Sequence, residues 1–301
     1  MSSSRQLPRL TALVSASAAI ALLLAGCGGG NTAGDDSGKI DVVASTDVWG
    51  SVAAAVGGED VQVTSIIHDP GADPHSYETT PQDAVAAGKA QLTLANGGGY
   101  DDFFTKLADQ ASNAKKLVAY DIGATGDENE HVWYSFATVQ KVADQVAAEL
   151  SQIRPSDKQS FTDNAAAFKA KVADLQTKTE QAGAAHPGSK VVATEPVAHY
   201  LLETAKVTDA TPHEFSEAVE EESDVPAAAL AEVQNIISGK QVKAVVNNAQ
   251  TVTPVTEQVV NTAKQAGLPV VDVTETLPAG ATDYISWMTS TVDSLAGALN
   301  S

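Results

Sequence analysis

Short apolar runs alternate with amphipathic stretches along most of the chain after Lys39, and this alternation limits the fold more than any other feature. In a first block, runs such as IDVVAST and VQVTSII are followed by helix-like stretches such as VWGSVAAAVGG. A second block, from about position 188, repeats the pattern with KVVATE, VKAVVNN and LPVVDVTETL. Short buried strands that alternate with amphipathic helices are typical of parallel sheets covered on both faces. The sequence therefore predicts an α/β fold with two lobes of mostly parallel strands.

A long amphipathic pattern separates the two blocks, running from Thr138 to about Gln181 with a break at Pro155. Apolar residues recur in it at intervals of three and four, which predicts a helix, a corner and then a long helix. Ser156 and Gln159 have the spacing of a capping box at the start of that second helix. The predicted parts are an N-terminal α/β lobe at 39–134, a connecting helical segment at 135–187 and a C-terminal α/β lobe at 188–301.

The first 27 residues have the layout of an export signal. Two arginines are followed by an apolar stretch that is short for a membrane span, and then by Ala25 and Gly26 before Cys27, the only cysteine of the chain. The LAGC sequence resembles a bacterial lipobox, which predicts a signal peptide at 1–26 and lipidation of Cys27; plain secretory cleavage near Gly26 is the alternative. The glycine-rich segment at 27–39 is then a flexible linker. We expect a protein anchored by lipid to the outer face of a bacterial cell membrane.

The chain is strongly acidic, with 38 aspartates and glutamates against 18 lysines and arginines. Removal of residues 1–26 takes away two arginines and no acid, so the balance becomes 16 − 38 = −22. Such a surface repels nucleic acid and anionic lipid headgroups. It is compatible with a cationic ligand, although an acidic surface kept for solubility explains the charge equally well. We expect no nucleic-acid partner, and a monomer.

Side chains that can bind metals follow four of the predicted strands. In open α/β sheets, ligands gather outside the carboxyl ends of the strands, so these positions are informative. Two imidazoles and two carboxylates suit a divalent first-row cation. Taken singly, each histidine is more typical of a surface loop and each glutamate of a helix cap, but neither of those explanations accounts for the set. The four candidates are His75 after VTSII, His131 after LVAYDI, Glu195 after KVVAT and Glu275 after PVVDVT.

Five short motifs carry a resemblance to a known family. DPHSYE (73–78), NEHVWY (129–134), ATEP (193–196), NNAQ (247–250) and DVTETLP (272–278) resemble the zinc/manganese class of solute-binding lipoproteins of ABC transporters. The similarity extends from about Ile40 to Leu299. The resemblance implies a metal site in the cleft between two lobes, and capture of Zn²⁺ or Mn²⁺ for delivery to a membrane permease and its ATPase.

The resemblance also assigns ligands, and it places them on His75, His131, Glu195 and Glu275. Two departures from the family pattern stand out. Glu195 is an acid where many zinc-binding members have histidine, and Glu275 lies in a shortened loop where aspartate is commoner. Asp283, eight residues further on, is the fallback for the fourth ligand.

Two other classes of function compete with metal capture. An anchored metal-dependent hydrolase would need an open coordination position, and the sequence has no HExxH, no GxSxG and no aspartate-rich two-metal cluster. A surface adhesin would bind its partner in the presence of a chelator. We therefore expect no enzymatic activity. The choice of cargo stays open, because carboxylates favour Mn²⁺ while intrinsic affinity favours Zn²⁺, with Fe²⁺ behind both.

Overall fold

The computed structural model describes residues 38–72, 74, 77–221 and 223–301. Cys27, the signal peptide, nearly all of the linker and His75 lie outside the described residues. Residues from Gly38 to Ser301 belong to one compact unit. Eight strands are described, four in each half of that unit. They are β1 (Ile40–Thr46), β2 (Val61–Ile67), β3 (Leu92–Ala95), β4 (Lys115–Val118), β5 (Lys190–Ala193), β6 (Thr208–Asp209), β7 (Ala244–Asn248) and β8 (Val270–Val273).

Helices follow or connect these strands, and a short helix at Ala119–Gly123 occupies the end of LVAYDI, where the sequence pattern predicts a strand. Several begin with the local chemistry of a helix start: Thr80 and Thr253 form capping boxes and are each followed by proline. The helices are α1 (Asp47–Gly57), α2 (Pro81–Lys89), α3 (Asp102–Gln110), α4 (Ala119–Gly123), α5 (Phe136–Ile153), α6 (Lys158–Ala185), α7 (His199–Ala205), α8 (His213–Glu220), α9 (Ala227–Ser238), α10 (Pro254–Ala266) and α11 (Tyr284–Leu299).

The strands form two four-stranded sheets, and every pairing is parallel. The order is β2-β1-β3-β4 in the first sheet and β6-β5-β7-β8 in the second. The direction of winding therefore reverses between β1 and β3, and again between β5 and β7. Ligands of open α/β sheets bind outside such switch points. The predicted fold class, two parallel α/β lobes joined by a long helix, is confirmed.

One large hydrophobic core runs through both halves. It includes β1 and β3 of the first sheet, β5 and β7 of the second, and the helices α1, α5, α6 and α11. Each sheet also has one smaller hydrophobic cluster beneath its outer helices. The last helix is also tied to the first, since the backbone N–H of Tyr284 donates to the Ser51 hydroxyl over 2.8 Å. A shared core of this kind restrains relative motion of the lobes; the exact domain boundaries stay a prediction.

The connecting segment has the predicted helix, corner and long helix, with a 3₁₀ turn at Pro155–Asp157 between α5 and α6. The predicted capping box at Ser156 and Gln159 is wrong. Ser156 lies inside the 3₁₀ turn, and α6 begins one residue after Asp157 with no side-chain capping bond. Within the described part of the chain, no helix has the length and apolar character needed to cross a membrane.

Candidate metal centre

An acidic cavity of about 750 Å³ opens at the carboxyl ends of the strands and is lined by residues from both halves of the chain. Three of the predicted ligands, His131, Glu195 and Glu275, contribute to its wall, and all three are buried. The described lining contains five acidic residues and neither lysine nor arginine. A site of this charge attracts cations and repels anions. The remaining acids of the lining are Glu220, Glu221 and Asp224.

Asp283, the fallback for the fourth ligand, lies elsewhere. It is the N-cap of α11, where its carboxylate accepts a hydrogen bond of 2.7 Å from the Ser286 backbone N–H. Hydrogen bonds from the Ser286 and Ile285 backbone and from neighbouring hydroxyls hold the pKa of Asp283 below its usual value, despite partial burial. It lines a different cavity, next to α1 and α6. The geometry thus favours Glu275 over Asp283 at the acidic cavity, and the ligand assignment itself stays a prediction.

His131 is held by the asparagine two residues before it. The Asn129 side-chain oxygen accepts from the His131 backbone N–H (2.9 Å) and lies 3.2 Å from ring Nδ1. The Asn129 amide nitrogen donates to the Pro196 carbonyl, which fixes which end of the amide is the oxygen. An amide oxygen only accepts hydrogen bonds, so Nδ1 carries a proton, and in the neutral ring Nε2 then carries the lone pair. Neutral histidine with its lone pair on Nε2 is a common metal-binding form.

The loop that carries His131 is packed against the end of the first sheet. The Asn96 amide, just after β3, donates to the Glu130 carbonyl over 2.9 Å. Gly98 lies directly beneath this loop with φ +72°, and an added Cβ would come within 3.0 Å of the Glu130 Cβ and 2.8 Å of the Tyr120 ring. Only glycine combines that backbone conformation with so close an approach. On its other side, the His131 ring packs edge-on against Trp133, at 5.1 Å between centroids.

Glu195 and Glu275 meet at one amide at the end of the second sheet. Asn248, the last residue of β7, donates from Nδ2 to Glu195 Oε2 and to Glu275 Oε1, the latter over 2.7 Å. Glu195 Oε1 is buried, with no hydrogen-bond partner within the described part of the chain. A helix-cap role for Glu195 is wrong, because the 3₁₀ turn after it has no side-chain capping bond. The arrangement leaves two carboxylates beside each other in a buried setting.

The pKa of Glu195 is raised to about 7, chiefly by burial and also by the nearby Glu275 carboxylate, against the hydrogen bond from Asn248. Although the Glu220 residue as a whole is exposed, partial burial of its carboxyl group raises its pKa to about 7, with the charges of Glu130 and Glu275 adding to the effect. Desolvation and like charges both disfavour ionised carboxylates. A bound divalent cation removes that penalty, and such strain at clustered acids is typical of functional sites.

Gln250 links the two halves above this pair. Its amide nitrogen donates to the Pro70 carbonyl over 2.7 Å, in the loop after β2, and to the Thr276 hydroxyl. Its amide oxygen accepts from the backbone N–H groups of Glu275 and Thr276. The Gln250 side chain therefore positions the Glu275 backbone relative to the loop that leads to His75.

Sequence reasoning missed two carboxylates at the cavity. Glu130, His131 and Glu220 are a triad whose possible ligand atoms all lie within 4.8 Å of one another, and it is the one such triad within the described ranges. Glu130 is partly buried and Glu220 is exposed at the end of α8. Glu130 precedes the candidate ligand His131 in NEHVWY, so the sequence pattern gave some indication of it. Glu220 is the last residue of α8 and lies in an acidic run, where a carboxylate is ordinarily only solvated.

The other described histidines lie apart from this set. His68 Nδ1 lies 3.2 Å from the carbonyls of Ser65 and Ile66, and so shapes the turn after β2. His199 lies 3.2 Å from the Asp127 carboxylate at the edge of the cleft. His213 is exposed at the start of α8 and is not part of the cavity wall.

The family described as "ZnuA: Zinc-uptake complex component A periplasmic" matches residues 42–298, which includes both sheets and every described residue of the cavity. The chain belongs to this family. The resemblance found in the five sequence motifs is thereby confirmed.

Curated relatives are similar over part of their length. The metal ABC transporter substrate-binding lipoprotein FimA of Streptococcus parasanguinis is 29% identical over 54% of this chain and 58% of its own. The manganese-binding lipoprotein MntA of Bacillus subtilis is 29% identical over 48% of this chain and 51% of MntA. The iron ABC transporter substrate-binding lipoprotein MtsA of Streptococcus pyogenes is 27% identical over 57% of this chain and 60% of MtsA. The chain thus spans between half and two thirds of the length of these relatives.

Solved structures of the ZnuA type have the same fold over nearly their whole length. The periplasmic zinc-binding protein TroA from Treponema pallidum has a TM-score of 0.73 with 18% identity, covering 87% of this chain and 99% of its own. A crystal structure of ZnuA has a TM-score of 0.71 with 21% identity and the same coverage. At this identity the likeness establishes the fold.

Proposed function

We propose that this protein is the extracytoplasmic substrate-binding lipoprotein of an ABC importer for a divalent first-row metal ion. The observation that supports it most is that His131 from the first half of the chain and Glu195 and Glu275 from the second line one acidic cavity. With His75, predicted from the sequence, these side chains give two imidazoles and two carboxylates. Membership of the ZnuA family and the names of the relatives, which include manganese, zinc and iron binders, support the same class of cargo.

The chemistry of the wall fits capture and release. Glu195 and Glu275 are buried beside each other, and burial together with the Glu275 charge disfavours the ionised form of Glu195, so an arriving cation relieves a penalty already present in the folded protein. Ligands from both halves mean that the ion stabilises the assembled cleft. Zn²⁺ and Mn²⁺ are the two proposed cargoes, with Fe²⁺ behind them.

Delivery completes the proposed role. Lipidated at Cys27 and tethered through 27–39, the protein stays at the outer face of the membrane and passes its ion to the permease, which the ATPase drives. We propose no bond chemistry at the site, since four protein ligands leave no coordination position for a water nucleophile. An anchored hydrolase and an adhesin gain no support from the relatives.

Titration calorimetry on the purified, chelator-stripped protein tests this proposal. Zn²⁺ and Mn²⁺ are titrated separately into the wild type and into a Glu195→Gln, Glu275→Gln double variant, at moderate salt to suppress loose surface binding. We expect one tight site per chain in the wild type, weakened at least 100-fold in the double variant, since ligand loss should exceed the 10–100-fold cost of losing a supporting residue. Only weak binding at several sites in the wild type would overturn the proposal.

A further inference from the structure

Asn248 occupies the central position at the end of the second sheet. It is the second asparagine of the NNAQ motif, ends β7 next to the β5/β7 switch point, and is 1% exposed. Its backbone N–H donates to the Thr194 hydroxyl over 2.9 Å, at the end of the neighbouring strand. The backbone of Asn248 is therefore held by both central strands of the sheet.

Hydrogen bonds also fix which end of this amide faces the carboxylates. The Asn248 oxygen accepts from the Gln250 backbone N–H over 3.1 Å, so the nitrogen faces the cavity. A side-chain amide nitrogen has two N–H donors. Here they serve one oxygen of Glu195 and one oxygen of Glu275, with the Thr251 hydroxyl as a further neighbour at 3.0 Å.

This pattern limits how each glutamate can bind an ion. A carboxylate that keeps one oxygen on Asn248 can offer the ion its other oxygen, whereas bidentate binding makes the oxygen that accepts from Asn248 bind the ion as well. Both glutamates are subject to the same restriction, because one amide serves both. Monodentate carboxylates give a low coordination number, typical of Zn²⁺, whereas Mn²⁺ prefers six oxygen-rich positions.

We propose that Asn248 is a specificity-determining residue that keeps Glu195 and Glu275 monodentate and so favours Zn²⁺ over Mn²⁺ as cargo. This inference rests on the proposed metal-binding function and narrows it. Asn248 acts as a positioning residue: it touches the ligands and not the ion.

The test compares Asn248→Ala with Asn247→Ala. Asn247 is the adjacent residue of the same type, and its amide donates to the Asp272 carboxylate over 2.9 Å, outside the cavity lining. Dissociation constants for Zn²⁺ and Mn²⁺ are measured for both variants and the wild type. Removal of the Asn248 amide is expected to shift the Mn²⁺-to-Zn²⁺ affinity ratio by about tenfold towards Mn²⁺, the lower end of the effect of a supporting residue. Asn247→Ala should leave the ratio unchanged.

Co²⁺ bound to the unaltered protein provides an independent measurement if Asn248→Ala does not fold. Four-coordinate Co²⁺ absorbs visible light strongly, while six-coordinate Co²⁺ absorbs weakly. Strong absorption by the wild type supports the proposal, and weak absorption overturns it. An unchanged ion ratio in folded Asn248→Ala also overturns it. Failure of the wild type to bind any of these ions would instead count against the proposed function.

Discussion

The side-chain oxygen of Asn129 accepts a hydrogen bond from the His131 backbone and lies within hydrogen-bond distance of the His131 ring, which makes the tautomer of the candidate ligand a consequence of its neighbour. The same asparagine reaches the other half of the chain through the Pro196 carbonyl. The candidate ligand His131 is thus oriented by a residue that also joins the lobes.

Replacement of Asn129 by alanine should weaken metal binding by about 10–100-fold, because the imidazole loses the partner that fixes its tautomer and orientation. Titration calorimetry measures the change. Asn164→Ala is a matched control, since its amide donates to the Val56 carbonyl over 3.1 Å, far from the cavity. Equal losses in the two variants would contradict a specific role for Asn129.

Asp283→Ala should affect stability and leave metal affinity unchanged. Loss of the N-cap of α11 is expected to lower the free energy of unfolding by about 0.5–2 kcal/mol. Urea unfolding and metal titration measure the two effects. Asp293→Ala, on the exposed side of the same helix, removes an ion pair with Lys178 and should cost less. A large loss of metal affinity in Asp283→Ala would restore this residue as the fourth ligand.

The metal-free protein should become less stable as pH rises from about 4.5 to 7. Folding raises the pKa of Glu195 from 4.5 to about 7, so the folded state binds more protons than the unfolded chain in this window. The contribution of protonated Glu195 to the free energy of unfolding is fully present below the unfolded-state pKa of 4.5. It is lost as the pH rises through the folded-state pKa of about 7, by an amount on the order of 3 kcal/mol. Metal affinity should rise over the same range, because the ion displaces the proton.

Urea unfolding at several pH values, with and without metal, checks this dependence. Glu195→Gln should make the profile of the metal-free protein less steep and leave the part due to Glu220, whereas Glu232→Gln, on the exposed face of α9, should leave its slope unaltered. If the free energy of unfolding of the metal-free wild type changes between pH 5 and 7 in the same way as that of the Glu195→Gln variant, burial does not act on Glu195 in this way.

Glu220 should affect the rate of capture more than its strength. It is exposed beside Glu130 and His131, and above its pKa of about 7 its charge attracts an approaching cation. At such a pH, Glu220→Gln should slow association several-fold at low salt and less at high salt, measured by stopped-flow fluorescence of Trp133, which packs against His131. Glu217→Gln, one turn earlier on α8, is the control. A 100-fold loss of equilibrium affinity would identify Glu220 as a direct ligand.

Much of the fold follows from local sequence patterns. Runs such as VQVTSII and KVVATE contain strands because β-branched apolar residues suit buried parallel sheets, and the long amphipathic segment forms α5 and α6. The carboxyl-end rule then placed His131, Glu195 and Glu275, although they are separated by 64 and 80 positions, on one cavity wall.

The supporting contacts could not be predicted in the same way. Asn248 touches Glu195 and Glu275 across 53 and 27 positions, and the pairing depends on the register of β5, β7 and β8. Glu220 is the last residue of α8, where no strand-end rule applies. The predicted start of α6 was wrong because the same residues suit both a 3₁₀ turn and a capped α-helix start.

An anomalous-difference map from crystals of the zinc-loaded protein tests the central claim most directly. We predict a single peak about 2.0–2.2 Å from His131 Nε2 and from one oxygen each of Glu195 and Glu275. A peak held by Glu130, His131 and Glu220 alone, or zinc found only on the outer surface, would contradict the account.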